Sequence, residues 1–358
     1  GWLVELDRTI FYPTGGGQPC DMGTLGGADV TETLLRGETV LHRCTAALPA
    51  GADVTGEIDW ARRLDLMQQH SGEHLVSGLI HARFGYENVG FHLGADLVTI
   101  DFNGEVDEQA LQELERAANE AVWADFAPHI WYPEPDELAH LPYRSKKALT
   151  GAVRLVQFGD IDLCACCGTH VAHTGEIGLI KLFSTTHFRG GSRIEMACGG
   201  RALAMLNALC AQNRDISVRL SAKPVQTAAA VARLASERTE AQQRAAALED
   251  RLFALLAQDG QTLRFEPPMP PESVRRLADA MVRANGARCA VFAGQDGAWH
   301  YAMADRDGDL RGLTKRLNAA LQGRGGGKPG FVQGSLAASR TDIEAFFTAE
   351  SCSMPDPA

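Results

Sequence analysis

Apolar and polar positions divide the chain into four stretches of different period. Over residues 1–60 the alternation is short: residues 2–6 and 54–59 read as strands, the second with Val54 and Ile58 on one face and Thr55, Glu57 and Asp59 on the other. Glycine-rich turns at residues 14–17 and 23–27 lie between them, which predicts a small β-barrel-like subdomain. Helical period takes over at residues 60–84, where Leu64, Met67, Leu75 and Leu79 spread over one broad face. A strand at 97–102 follows, then a helix at 107–124 with Leu111, Leu114, Ala118 and Val122 at helical spacing, then strands and loops over 153–198, so that residues 61–210 form one α/β domain. Residues 211–258 are rich in Ala, Arg and Glu and break once, at Lys223-Pro224. A heptad runs through their second part, with Val231, Arg238, Ala245 and Leu252 at one seam position and Leu234, Ala241, Leu248 and Leu255 at the other. Two alanines and an arginine thin that seam, which predicts a helical hairpin or short coiled coil serving as a spacer or as the seat of a homodimer. Residues 259–350 alternate helix (273–285) and strand (289–293 and 298–304) and end in a glycine-rich basic loop at 323–334. The expected class is therefore α+β: an N-terminal small β-barrel, an α/β domain, a helical linker and a C-terminal αβ domain.

Composition narrows the classes of function. The 358 residues carry 34 Lys+Arg against 45 Asp+Glu, a formal net charge of −11, so a nucleic-acid partner requires a local basic patch. No apolar run is long enough to span a bilayer, which predicts no membrane partner. The first residues, Gly1-Trp2-Leu3-Val4-Glu5, lack the pattern of an export signal, and the start without Met suggests a trimmed N-terminus. The expected compartment is the cytoplasm, where the nine cysteines stay reduced and clustered Cys and His point to metal before disulfides.

Such a cluster is present. His70 and His74 are four residues apart in the helical stretch, about 40° apart around the axis, so both imidazoles leave one face. Cys166 and His170 have the same spacing in the loop-like run Cys166-Cys167-Gly168-Thr169-His170. Taken singly, each pair has a bland explanation, a buried thiol beside a turn histidine or a chance repeat. Taken together, three imidazoles and a thiol form a four-ligand set of the softness that suits Zn²⁺. His81, His92, His140 and His173 lack paired spacing and read as non-ligands.

The run His70-Ser71-Gly72-Glu73-His74, followed by Cys166-Cys167-Gly168-Thr169-His170-Val171 and Thr174-Gly175-Glu176-Ile177-Gly178, resembles the editing domain of alanyl-tRNA synthetase. It resembles still more closely the freestanding alanyl-tRNA editing proteins, the AlaX family, in their long form. Phe11-Tyr12-Pro13-Thr14-Gly15-Gly16-Gly17-Gln18-Pro19 is similar to that family's glycine motif, Arg193-Ile194-Glu195 to its late strand, and Gly325-Gly326-Gly327 with Gln333-Gly334 to the DHH-associated domain that ends the long form. The resemblance implies a zinc-dependent hydrolase of mischarged tRNA(Ala), chiefly the seryl and also the glycyl ester, with one Zn²⁺ per chain held by His70, His74, Cys166 and His170. It implies that Thr14 and Gln18, with the backbone of Gly15, Gly16 and Gly17, form the amino-acid pocket, and that residues 61–210 are the editing domain and 259–350 the DHH-associated domain. Serine differs from alanine by one hydroxyl, and a pocket whose polar groups require that hydroxyl rejects the analogue lacking it by ~10⁴–10⁵. Thr14 and Gln18 carry such groups.

The chain departs from the family pattern at Cys167, where the family has glycine, so either Cys164 or Cys167 could stand in for Cys166. Glu73 stands where related long forms often carry a neutral side chain, and it reads either as a general base or as an exposed or supporting residue. For tRNA phosphates the candidate clusters are Arg144, Lys146 and Lys147; Arg189 and Arg193, the latter a backbone or phosphate contact; and Arg311, Lys315, Arg316, Arg324 and Lys328 around the glycine loop. Three other readings compete: a zinc-stapled tRNA-binding module without catalysis, a metal-dependent hydrolase of another ester, and a phosphoesterase. The absence of any Asp-His-His run argues against the last.

Overall fold

The computed structural model describes residues 1–145 and 151–352, and these form two compact units, Gly1–Ile216 and Ser217–Ala358. The first unit begins with β1 (Trp2–Glu5), β2 (Gly23–Leu25), β3 (Ala28–Arg36), β4 (Thr39–Cys44) and β5 (Gly56–Ile58), all antiparallel, in the order β1-β4-β3-β2-β5. Its edges β1 and β5 do not pair, so the expected barrel is an open sheet in its hydrogen bonding. The stretch read as turns between two strands holds β3 and β4, whose mixed Thr, Glu and Leu content hides the alternation. Phe11, Leu25, Val30 and Cys44 form the small core of this sheet.

Helix α1 (Trp60–Phe84) starts at Asp59, whose carboxylate accepts from the Arg62 N–H, and ends at Gly85 in the left-handed region. After it come β6 (Asn88–Leu93), β7 (Val98–Phe102), α2 (Glu108–Trp123), β8 (His129–Trp131), the short α3 (Pro135–Leu138), β9 (Leu155–Phe158), β10 (Asp162–Ala165), β11 (Ile180–Phe188), β12 (Gly191–Cys198) and α4 (Gly199–Arg219). Two antiparallel sheets result, β10-β9-β8 and β11-β12-β7-β6. Leu75 and Ile80 of α1, Leu114 and Ala118 of α2, Ile100 and Phe102 of β7, and Ile194 and Met196 of β12 close one core. Because α1 is covered on nearly every side between Leu66 and Ile80, its polar residues there are buried too and must find partners inside the protein. Gln69 does so by pairing with both backbone groups of Cys198 at the end of β12.

The second unit carries α5 (Thr227–Leu256), β13 (Leu263–Glu266), α6 (Pro271–Asn285), β14 (Cys289–Gln295), β15 (Ala298–Ala304), α7 (Arg311–Ala320), β16 (Arg324–Lys328), β17 (Phe331–Leu336) and α8 (Arg340–Cys352). The sheet order is β13-β14-β15-β17-β16, with only β13 and β14 parallel. Strand alternation sorts its faces: Ala290, Phe292, Tyr301 and Met303 meet Leu313, Leu317 and Ile343 of α7 and α8, while Val291, Ala293, Ala302 and Ala304 meet Val274, Leu277 and Met281 of α6. One expectation is corrected here. The glycine loop is a β-hairpin, because Gly325 and Gly334 face each other across β16 and β17 where a Cβ on Gly325 would stand 2.6 Å from the Gly334 backbone. Phe253 and Leu256 of α5 pack into the core that α6 shares, and the heptad residues Val231, Leu234, Leu248, Leu252 and Leu255 are exposed.

Candidate metal centre and its cavity

Two stretches about a hundred residues apart in sequence meet at α1. His70 and His74 leave one face of the helix, and the loop after β10 brings Cys166 and His170 over them. One donor atom from each of the four lies within 4.8 Å of the others. The imidazole centroids of His170 stand 4.7 Å from those of both His70 and His74, and the Cys166 sulfur is 3.4 Å from His70 Nε2. Every Nδ1 is engaged away from the cluster: His70 on Gln18 Oε1 at 2.9 Å, His74 on Asp162 Oδ2 at 2.7 Å and His170 on the Ser71 hydroxyl at 3.4 Å. That leaves three Nε2 atoms converging with one sulfur, the arrangement in which outer partners fix the tautomer of metal-binding histidines. His170 Nε2 is buried and has no hydrogen-bond partner among the described residues, so the protein alone leaves a donor set there that a divalent cation would complete.

The electrostatics agree. Burial alone would raise the Cys166 thiol, but the His70 charge and the surrounding imidazoles overcome it and hold the group well below the ordinary thiol range. Burial would lower His74, but Asp162 and Cys166 hold it well above the ordinary value, while His170 is pushed down to about 3, first of all by burial. Cys164, buried two residues before Cys166, is pushed up to about 11 by burial and lies beside His74 and Asp162. Cys167 is exposed. Among the three thiols it is therefore Cys166 that joins the three imidazoles.

Two close approaches make this geometry. Gly78 lets the β9–β10 turn lie on α1, since a Cβ there would stand 2.4 Å from the Ile161 carbonyl and 2.7 Å from the Asp162 side chain. Gly168 lets the ligand loop lie against His70, since its Cβ would stand 2.1 Å from the imidazole Cε1. Arg154 donates to the carbonyls of both Cys166 and Gly168, which clamps the loop between them.

A cavity of about 380 Å³ opens beside the cluster, with His70, His74 and Cys166 on its floor and Gly16, Gly17, Glu73, Phe91 and Arg144 among its walls. Several expected site residues stand elsewhere. Gln18 is 1% exposed: its carbonyl oxygen accepts from His70 and from the Thr169 N–H, and its amide donates to the Thr169 hydroxyl. It holds two parts of the site together. Thr14 is exposed and outside the cavity lining; Gly15, half-buried and also outside the lining, pairs with Gln18 across the turn. Arg193 is also off the cavity, because Asp101 on the neighbouring β7 takes its guanidinium at 2.6 and 2.8 Å and Phe188 covers it. Arg144 forms an ion pair with Asp162, while Lys146 and Lys147 lie outside the described residues. Glu73, far from being exposed, is 4% accessible. Sequence reasoning missed Asp162; the available signal was its strand alternation with Cys164 and Cys166.

Residues 153–195, which include Cys166 and His170, match the threonyl and alanyl tRNA synthetase second additional domain. Over longer spans the chain is similar to named proteins. Alanyl-tRNA editing protein Aarsd1 of Danio rerio is 27% identical over 96% of this chain and 87% of its own length. Alanyl-tRNA editing protein AlaX-L of Pyrococcus horikoshii is 33% identical over 57% of this chain and 53% of its own, and the alanine–tRNA ligase of Pyrococcus abyssi 29% identical over 94% and 39%. The chain thus spans about half of AlaX-L (53%) and much less of the ligase (39%). The C-Ala domain of Aquifex aeolicus alanyl-tRNA synthetase covers 25% of the chain at 18% identity and a TM-score of 0.22, too slight a likeness to bear on the fold. The chain is similar to the AlaX-type alanyl-tRNA editing proteins.

Proposed function

We propose that the chain hydrolyses the ester of mischarged tRNA(Ala), chiefly Ser-tRNA(Ala) and also Gly-tRNA(Ala), at the cavity over His70, His74, Cys166 and His170, with one Zn²⁺ per chain. The observation that carries this reading is the convergence of three Nε2 atoms and one depressed thiol beside an open cavity, in a chain similar along 96% of its length to an alanyl-tRNA editing protein. A bound zinc ion supplies Lewis acidity toward the ester carbonyl oxygen. The chain's own residues do the rest. Gln18, Asp162 and Ser71 hold the three imidazoles in one tautomer each, and Gly16 and Gly17, without side chains, leave room for the ester beside them. Water adds to the carbonyl carbon, the bond to the ribose oxygen breaks, and free amino acid and tRNA leave.

His74→Ala removes a ligand. The expected result is a loss of at least ~10²-fold in zinc affinity and deacylation of Ser-tRNA(Ala) at the uncatalysed rate, read by metal analysis and release of labelled serine. Hydrolysis persisting in the variant would sink the metal-site reading. A wild-type chain that binds tRNA(Ala) without deacylating it would instead mark a binding module.

The tRNA body is assigned to the second unit, where Arg324 and Lys328 bracket three glycines on the exposed edge strand β16. Neither has a carboxylate partner among the described residues, unlike Arg311 on Asp309 and Arg316 on Glu350. Replacing both by alanine should weaken tRNA binding across sequences and reduce the slope of log affinity against log salt by about 1–2. An unchanged slope overturns that assignment.

A further inference from the structure

We propose that Arg144 receives the leaving group of the ester: the free end of its guanidinium holds the ribose of the tRNA's terminal nucleotide by two neighbouring oxygens, one esterified and one hydroxyl. The inference rests on the hydrolase reading above and deepens it. Arg144 borders the cavity that has His70, His74 and Cys166 on its floor. Its main chain is fixed alongside β10, where it donates to the Leu163 carbonyl at 2.8 Å and accepts from the Ala165 N–H at 2.9 Å. Its side chain is fixed by the buried Asp162: Nε donates to Oδ1 at 2.8 Å, and Nη2 stands 2.7 Å from the same oxygen. Both contacts lie along one edge of the planar group. A guanidinium carries five N–H donors in a rigid fork, so the end formed by Nη1 and the outer N–H of Nη2 is left over. Among the described residues Nη1 has no protein partner, yet it is not one of their two buried side-chain polar atoms without one, His170 Nε2 and Arg264 Nε. It therefore reaches open space, and the open space that Arg144 borders is the cavity.

Charge decides what that end can hold. Burial alone would lower the Arg144 pKa, but Asp162 and Cys164, with Glu73 after them, hold it above the ordinary arginine value, so the group stays charged and does not act as an acid. Its charge is already met by Asp162 in contact and by Glu73 on the wall of the same cavity. A phosphate would bring a third anion to this place, and the ammonium group of the amino acid would meet a like charge. Neutral oxygens take up the remaining N–H donors without either penalty. With the carbonyl oxygen over the ligand cluster, the neutral pair left on an aminoacyl ester is at the ribose, where the esterified oxygen and the neighbouring hydroxyl stand side by side and match a two-pronged donor. When the bond between the carbonyl carbon and the ribose oxygen breaks, its electron pair goes to that oxygen and the proton shed by the attacking water ends there. Until the proton arrives, the fork stabilises the growing negative charge.

The test uses two forms of Ser-tRNA(Ala), the ordinary one and one ending in 2′-deoxyadenosine, which keeps the ester and lacks the neighbouring hydroxyl, with wild type and Arg144→Lys. Lysine keeps a charge opposite Asp162 and removes the fork. Each kcat/KM is divided by the uncatalysed rate of the same ester, which takes out the hydroxyl's effect on the ester itself. Wild type should favour the ordinary ester by about 10- to 100-fold, the range of a hydrogen bond to a charged group. Arg144→Lys should lose most of that preference, because it slows the ordinary ester more than the deoxy one. Equal loss on both esters overturns the proposal in favour of a contact at the carbonyl or a purely structural role. Equal wild-type rates on both also overturn it, without need of any variant, and leave the hydrolase reading standing. Hydrolysis of neither ends both. Should Arg144→Lys fail to fold, Asp162→Asn keeps Arg144 but loosens the grip that orients it, and an unaltered preference there overturns the proposal.

Discussion

Gly168→Ala should leave a folded chain that holds a divalent cation at least ~10²-fold more weakly than wild type. The added methyl would stand 2.1 Å from Cε1 and 2.4 Å from Nδ1 of His70, and 3.1 Å from Gln18 Oε1. None of these is the loose end of a flexible side chain. Gln18 holds His70, Phe91 stacks on it at 5.6 Å, and the His74 and His170 rings sit 5.3 and 4.7 Å away. The loop cannot easily yield either, since Arg154 grips the carbonyls on both sides of Cys167. Whichever side moves, the Nε2 atoms and the Cys166 sulfur no longer converge. Overpacking of this kind costs about 1–3 kcal/mol of stability, so the fold should survive what the site does not. Competition with a chromophoric chelator reads the affinity, and thermal unfolding reads the fold. Wild-type affinity in this variant would mean that the loop does not pack on His70 as described.

Asp162→Ala should lower the unfolding free energy of the first unit by about 3–5 kcal/mol, the usual effect of breaking a buried ion pair from one side. The Asp162 side chain is 1% exposed, and its two oxygens have separate duties. Oδ1 takes the Arg144 guanidinium at 2.7–2.8 Å, and Oδ2 takes His74 Nδ1 at 2.7 Å. Alanine leaves an 11% exposed guanidinium without its partner and frees the imidazole to rotate. Asp162→Asn keeps one acceptor and should lose less. Urea unfolding of the metal-free chain measures the stability, and metal titration in the same variants should show weaker binding, by about 10- to 100-fold, as the His74 tautomer loosens. A stability loss under about 1 kcal/mol would show that the Arg144–Asp162–His74 chain is not a buried unit.

Much of the site was legible in one dimension because its chemistry is periodic. The four-residue step between His70 and His74 predicts two imidazoles on one helical face, and they lie there. The spacing of Cys166 and His170 announced the second pair, and apolar periodicity placed α1, α2 and α6 close to their observed limits. What the sequence could not supply was partners. Gln18 sits in a glycine motif and carries a polar amide, so it read as a substrate contact; in the fold that amide faces a histidine 52 residues away and a threonine 151 residues away. Arg193 read as a backbone or phosphate contact, whereas antiparallel pairing of β12 with β7 puts Asp101 opposite it. The heptad residues of α5 are exposed, and a period alone does not say which face finds a neighbour.

The sequence by itself determined the ligand types, their pairing by helical step and the class of metal they suit, because backbone geometry converts spacing into direction within a single element. Only the tertiary structure decided which thiol of three joins the imidazoles, which side chains hold each Nδ1, and that Glu73 is walled into the cavity instead of facing water. Those choices depend on the approach of separate elements to within a hydrogen bond of each other. Such distances follow from the packing of the whole core, and no local pattern in the chain carries them.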